Sequence, residues 1–189
     1  ISFIALLIIG LAPQASANDP PTNILFIFAD DWGWGDLSCH GHPYVKTPNI
    51  DRLAKEGTDF HRFTTASGVC SPSRTAIMTG HFPARYNIDG HFAWVPSNAR
   101  RNMPDWLDPK APLLSRFLKS AGYTTAHFGK WHLNYSGVGL EHPLELEDPH
   151  NPGELGFDYW LSHTSGFDLR TSKGEGFDLS RMGVRESFT

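Results

Sequence analysis

Residues 23–29, NILFIFA, form an apolar run without the polar alternation of a half-exposed strand. Such a run is typical of a strand buried on both faces of a parallel sheet. The pattern changes over 47–57, where apolar residues recur three and four positions apart. Thr47 and Pro48 open this segment and Gly57 closes it, as N-cap, first-turn and terminating residues do, so the pattern predicts a short helix.

Similar signals continue along the chain. Residues 58–65 are compatible with an extended segment, and 70–80 has the Ser/Pro opening and the Gly ending of a second helix, with Cys70 at its amino end. The Pro-rich, polar stretch 89–112 indicates a long loop. A third helix is predicted over 113–121, and a strand over 123–128.

Strand and helix signals therefore alternate, which predicts an α/β fold with a mostly parallel sheet sandwiched by helices. Ligands of such folds gather beyond the carboxyl ends of the strands. Two polar groups follow predicted strands: Asp30 with Asp31, and Lys130 with His132. After Leu140 the chain is rich in Pro, Gly, Asp and His, and no element is predicted there.

Composition narrows the class of protein. A chain of 189 residues with 40% hydrophobic residues can bury one globular core. The net charge is −4 with mixed signs, and no basic stripe or long like-charge run occurs. A nucleic acid partner is therefore not expected.

The first seventeen residues, ISFIALLIIGLAPQASA, are apolar, too few to span a bilayer, and end in the small-x-small pattern Ala15-Ser16-Ala17. We interpret residues 1–17 as a secretory signal peptide whose start is missing, since no initiator Met or basic region precedes it; an N-terminal anchor is the alternative. We expect a secreted or periplasmic protein without stable membrane insertion.

Taken singly, each candidate group has both a functional and a non-functional interpretation. Asp30 and Asp31 are hard oxygen ligands suited to Ca²⁺ or Mg²⁺, although adjacent aspartates are more often a solvated turn. Lys130 and His132 would address one anion if the extended backbone continued past the strand, but either could simply be exposed.

The cysteines leave a further alternative open. Cys70, at a helix start and near Arg74, has an electropositive setting that attracts anions. The chain has only two cysteines, and Cys70 could equally form a disulfide with Cys39 in an exported protein, or be a buried thiol.

Four motifs taken together resolve this ambiguity. Cys70-Ser71-Pro72-Ser73-Arg74 resembles the C-x-P-x-R signature of the sulfatase family, within the stretch CSPSRTAIMTG. The segments NILFIFADDWGWGD and TPNIDRLAKEGTDF precede it, and Gly129-Lys130-Trp131-His132-Leu133 follows it, in the order of that family. The chain is therefore identified, over about 23–133, as resembling a formylglycine-dependent sulfatase of the alkaline-phosphatase-like superfamily.

The resemblance implies roles for individual residues. Asp30 and Asp31 would be metal ligands together with Cys70, which a formylglycine-generating enzyme would oxidise to formylglycine. Its hydrated form is a geminal diol: one oxygen attacks sulfur, and the other later helps to expel sulfate by elimination. Arg74 would hold the diol or its neighbours, Lys130 would bind a sulfate oxygen, and His132 would take a proton from the second hydroxyl.

The end of the sequence departs from this pattern. The family supplies an Asp-Asn pair, a His and a Lys further on, but Asp148 is followed by Pro149 and Asp168 by Leu169. We therefore interpret 18–189 as the N-terminal part of a sulfatase catalytic domain. Asn134 also replaces the Gly that usually follows the G-K-W-H-L motif.

The expected activity is hydrolysis of sulfate esters, first of all on a sulfated glycan or a small sulfated molecule. His91 and Trp94, in the loop after the Cys70 helix, could line a carbohydrate site or simply pack on the surface. The same residues are also compatible with two alternatives: a phosphonate or phosphate ester hydrolase of the same superfamily, and a degenerate sulfatase that binds sulfated glycans without cleaving them.

Overall fold

The fold is known from a computed structural model that describes residues 22–135, 144 and 146–164. Its helices and strands are arranged in the order α1, α2, α3, α4, β1, β2. Their bounds are Pro48–Glu56 (α1), Cys70–Thr79 (α2), Val95–Arg100 (α3), Leu114–Ser120 (α4), Ala126–Lys130 (β1) and Tyr159–His163 (β2). Short 3₁₀ helices cover Trp34–Asp36, Ser38–His40 and Pro83–Tyr86.

The two strands are parallel neighbours. Ala126 is in register with Tyr159 and Lys130 with His163. The pairing continues past β1, where the Trp131 N–H donates to the His163 carbonyl at 2.7 Å. A parallel pair inside an α/β arrangement confirms the predicted fold class, and it places Lys130 at the carboxyl end of the sheet.

Among the residues that the structure describes, buried apolar side chains form one cluster beside these strands. Its largest fully buried members come from four regions: the chain after α2, the loop before α4, the segment after β1 and the segment before β2. They are Ile88, Phe92, Leu107, Leu113, Trp131, Leu133, Leu144 and Leu155. The segment after β1 is further tied to the loop before α4, since the Leu107 N–H donates to the Leu133 carbonyl at 2.9 Å. The residues after β1 are thus fixed by packing on both sides.

Three predicted helices are confirmed. Helix α1 begins after Thr47 and ends before Gly57, and α4 ends two residues before Gly122. Helix α2 ends at Gly80, whose φ of 68° is a left-handed conformation that glycine adopts without steric cost. Capping and breaking residues were therefore reliable signals in this chain.

The prediction of a buried strand over 23–29 is wrong for the residues that the structure describes. This segment has no paired strand there, and its side chains are exposed apart from the half-buried Phe28; Leu25 is 86% exposed. A buried strand needs neighbours on both edges and helices on both faces, and the described residues provide neither. Asp30 and Asp31 consequently follow an unpaired segment.

Three smaller predictions also need correction. The loop 89–112 contains helix α3, because Pro96 lies in its first turn, where proline favours a helix. The strand predicted at 123–128 is β1, shifted to Ala126–Lys130, and the segment 58–65, expected to be compatible with an extended conformation, contains a turn at residues 61–62. Strand β2 was missed, although its sequence YWLSH is rich in aromatic and apolar residues.

In the described ranges, none of the helices has the length and apolar character needed to cross a membrane. The proposed signal peptide, residues 1–17, lies outside them, as do Asp168 and Leu169.

Candidate active site

Cys70 is the first residue of α2. Val69 before it is extended, with φ −115° and ψ 145°, and the following residues Ser71 to Thr75 are buried. Packing of this first turn fixes the amino end of the helix, whose free N–H groups favour an anion nearby. Cys70 is half-buried and Cys39 is exposed, and both are free thiols, so the structure does not contain the alternative disulfide.

Lys130 reaches Cys70 from the end of β1. Its Nζ lies 3.2 Å from Cys70 Sγ and 2.7 Å from Asp30 Oδ2. The side chain is largely buried, with 15% exposure, so the ammonium is held near these partners rather than moving in solvent. The strand end and the helix start therefore bring a cation to the cysteine.

Arg74 lies four residues after Cys70, and thus on the same face of α2. Its guanidinium donates one hydrogen bond to the Lys130 carbonyl and a second to Asp30 Oδ1, at 3.2 Å. It also stacks over the ring of Phe28, at 5.3 Å from the ring centre. Arg74 therefore connects α2, β1 and the segment before Asp30.

Asp30 lies between these two cations. Partial burial by itself would raise the pKa of its carboxyl group, but the hydrogen bonds and positive charges of Lys130 and Arg74 outweigh this and hold the pKa below its usual value. Asp30 is therefore an anion at neutral pH, with each of its oxygens bound to a different cation.

A metal ion fits the next group of atoms. A carboxylate oxygen of Asp30, one of Asp31 and the Sγ of Cys70 all lie within 4.8 Å of one another. Two carboxylates suit Ca²⁺ or Mg²⁺, but a thiol is a soft ligand that suits neither. All three ligand atoms would be hard oxygens only if oxygen replaced sulfur at position 70. Conversion of the cysteine to formylglycine makes this change.

Asp31 is held in an unusual backbone conformation. Its φ is 56°, in the left-handed region that only a few per cent of non-glycine residues adopt. Residues held in this way cluster at functional sites, because the surrounding structure has to offset the strain. The conformation directs consecutive carboxylates, Asp30 and Asp31, toward a common point, which extended geometry would not do.

His132 does not follow the expected extended geometry. Its φ is 48°, so the chain turns after Lys130, and the ring is buried, with 4% exposure. The Nε2 atom lies 3.1 Å from the carbonyl oxygen of Phe92. Burial, chiefly, together with the charges of Lys130, His91 and Arg74, lowers the pKa of His132 to about 4, although its hydrogen bond to Phe92 opposes this.

Two contributors to this region were not predicted. The Phe28 ring stacks under Arg74, and the Phe92 backbone contacts His132. Phe28 was assigned only to a strand, and no sequence signal marks a backbone group such as the Phe92 carbonyl as part of a site.

We expect Asp31→Asn to weaken metal binding about tenfold, because one of the two ligand charges is lost while the shape is kept. Calcium titration calorimetry of the matured full-length protein measures this. Asp89→Asn, a neutralised exposed aspartate outside the cluster, is the matched control. Equal affinity of the Asp31 variant and the wild type would exclude Asp31 as a ligand.

The fold is that of an α/β protein. At the carboxyl end of a parallel strand, Lys130 and Arg74 form a cluster with Cys70 and Asp30 that is suited to binding an anion. The sulfatase family model matches residues 22–179, and the chain belongs to this family.

Its relatives are sulfatases of different specificity. The chain is 38% identical over 175 residues to N-acetylgalactosamine-6-sulfatase of Sus scrofa, covering 87% of the chain and 31% of that protein. It is 38% identical over 167 residues to steryl-sulfatase of Rattus norvegicus, covering 86% and 27%. The chain thus spans less than a third of the length of these curated relatives.

A solved sulfatase structure has the same fold. It was determined in connection with the metabolism of multiple glycosaminoglycans by Bacteroides thetaiotaomicron. It is 35% identical, with a TM-score of 0.56 over 72% of the chain and 27% of that protein.

Proposed function

We propose that the protein to which this chain belongs hydrolyses sulfate esters, giving an alcohol and inorganic sulfate from the ester and water. The observation that carries this proposal is the contact of Lys130 Nζ with Cys70 Sγ at 3.2 Å, beside the carboxylates of Asp30 and Asp31. Membership of the sulfatase family supports the same activity.

The two cations, Lys130 and Arg74, have different proposed roles at this site. Lys130 lies against the residue that would attack sulfur, so its ammonium would bind a sulfate oxygen and stabilise negative charge during transfer. Arg74 binds Asp30 and the backbone of Lys130, and would keep both in position. Buried, neutral His132 would accept a proton when the sulfated residue breaks down.

Two groups would complete the site. We propose that Cys70 is converted to formylglycine by a formylglycine-generating enzyme, and the hydrate supplies a second hydroxyl through which sulfate is released by elimination. Asp30, Asp31 and the modified residue 70 would hold a divalent ion, Ca²⁺ or Mg²⁺, which supplies Lewis-acid neutralisation of charge. We further propose that the protein acts after export, with residues 1–17 as its signal peptide.

The proposed substrate is a sulfated carbohydrate. The loop after α2 brings exposed His91 to 6.2 Å from the His132 ring, between ring centres, and carries Trp94, which is 55% exposed. Exposed aromatic faces next to a site can pack on sugar rings. The names of the N-acetylgalactosamine-6-sulfatase and of the Bacteroides structure also indicate a carbohydrate substrate. The steryl-sulfatase name indicates the competing class, a steroid sulfate.

The test is a comparison of esters. We expect the matured full-length protein, loaded with calcium, to hydrolyse 4-nitrophenyl sulfate and a sulfated N-acetylhexosamine with kcat/KM far above that for 4-nitrophenyl phosphate. A higher kcat/KM for the phosphate would replace this proposal by the phosphate ester alternative. Absence of turnover on every ester, with glycan binding retained, would identify a binding module.

A further inference from the structure

The backbone of Phe92 connects the helix that carries Cys70 to His132. The Phe92 N–H donates to Ser71 Oγ at 3.0 Å, and the Phe92 carbonyl oxygen lies 3.1 Å from His132 Nε2. Ser71, Phe92 and His132 are all buried, with exposures of 0%, 1% and 4%. One peptide segment is thus held by a hydroxyl on one side and holds an imidazole on the other.

This arrangement determines where the imidazole proton lies. A carbonyl oxygen can only accept a hydrogen bond, so His132 Nε2 must carry the proton. With a pKa lowered chiefly by burial to about 4, the ring is neutral at pH 7 and has only one N–H. The other nitrogen, Nδ1, is therefore unprotonated; it is buried and has no hydrogen-bond partner among the described residues.

We propose that Ser71 is a positioning residue: by fixing the Phe92 backbone it holds His132 in the Nε2–H tautomer and leaves Nδ1 as the proton acceptor. This inference rests on the proposed function, in which His132 takes a proton. It assigns a role to a variable position of the C-x-P-x-R motif, apart from recognition of that motif during maturation.

Other contacts hold the neighbours of Phe92 but not its own N–H. The amide of Asn98 pairs with both the N–H and the carbonyl of Ala93, at 2.8 and 2.6 Å. Arg101 donates to the His91 carbonyl at 2.9 Å. Ser71 supplies the hydrogen bond from α2, the helix whose first residue is Cys70. Proton acceptor and nucleophile therefore keep their relative position through Ser71.

The first experiment replaces Ser71 with alanine in the matured full-length protein. We expect kcat per formylglycine to fall about tenfold, the scale for losing one buried hydrogen bond, with KM unchanged, since substrate contacts are kept. Mass spectrometry of the peptide containing residue 70 supplies the formylglycine fraction. Ser71→Cys, with a weaker acceptor of similar shape, should give an intermediate kcat.

Ser73→Ala is the matched control. Ser73 is the other variable position of the motif, is also buried, and has no side-chain hydrogen bond to Phe92 or His132 in the part of the chain that the structure describes. We expect it to keep wild-type kcat. An equal loss in the Ser71 and Ser73 variants would assign the effect to helix packing and overturn the proposal.

The second experiment observes the tautomer directly. Ring ¹⁵N spectra of histidine-labelled protein at pH 7, with the His132 signals assigned from their loss in His132→Gln, should show Nε2 protonated and Nδ1 bare. In Ser71→Ala both nitrogens should move toward averaged shifts. A single Nε2–H tautomer retained in Ser71→Ala would overturn the inference. A wild type without sulfatase activity would refute only the proposed function, because the spectra would still decide whether Ser71 fixes the ring.

Discussion

Replacing Cys70 with alanine is expected to abolish sulfate ester turnover and to leave the fold intact. The nucleophile is derived from Cys70 in the proposed mechanism, and no other described side chain occupies its position beside Lys130 and the two aspartates. The fold should persist because Cys70 is a small, half-buried residue, and Lys130 keeps its contact with Asp30 at 2.7 Å.

The measurement is turnover of 4-nitrophenyl sulfate by the full-length protein, coexpressed with a maturation enzyme, together with thermal unfolding. Cys39→Ala is the matched control, since Cys39 is the second cysteine, is exposed and lies outside the cluster. Mass spectrometry should find formylglycine at position 70 in the wild type and in the Cys39 variant. Full activity in Cys70→Ala, or an unmodified thiol in active protein, would contradict this mechanism.

Removal of the Lys130 side chain by Lys130→Ala should lower kcat on the order of a hundredfold, the scale for losing one preorganised charge stabiliser. The ammonium is largely buried and lies within hydrogen-bond distance of both Cys70 and Asp30. Its loss leaves Asp30 with Arg74 as a partner, so the carboxylate stays paired and the fold is expected to hold.

Single-turnover and steady-state rates at saturating calcium separate this effect from weaker metal binding. Lys110→Ala serves as the control, because Lys110 is an exposed lysine in the loop before α4. Its kinetics should match the wild type. An unchanged kcat in Lys130→Ala would mean that the contact with Cys70 has no part in sulfate transfer.

Local signals were sufficient for helices α1, α2 and α4, but they missed α3 and were insufficient for the strands. Thr47 and Gly57 directly flank α1, and Gly80 ends α2 in a left-handed backbone conformation; these signals are local to each helix and do not depend on distant residues. A strand exists only when another segment pairs with it. The apolar run 23–29 has no such partner among the described residues, and β1 is found where Tyr159–His163 pairs with it.

The candidate site likewise contains residues that short motifs predicted and groups that depend on tertiary packing. Cys70, Arg74 and Lys130 were recognised from short motifs, and the structure brings them together around Asp30. The turn at His132 was not foreseen, because its φ of 48° is imposed by packing after β1. The role of the Phe92 backbone was equally hidden, since a peptide group contributes no distinctive residue to a motif.

Because Asp30 is paired with both Arg74 and Lys130, the net formal charge of the site is close to zero. Formal charges of Asp30 and Asp31 cancel those of Arg74 and Lys130, and His132 is neutral because its pKa is about 4. The cluster thus has no surplus charge of its own with which to attract a sulfate ester. A divalent ion would contribute the entire net charge of +2, which makes affinity for an anionic substrate conditional on metal loading.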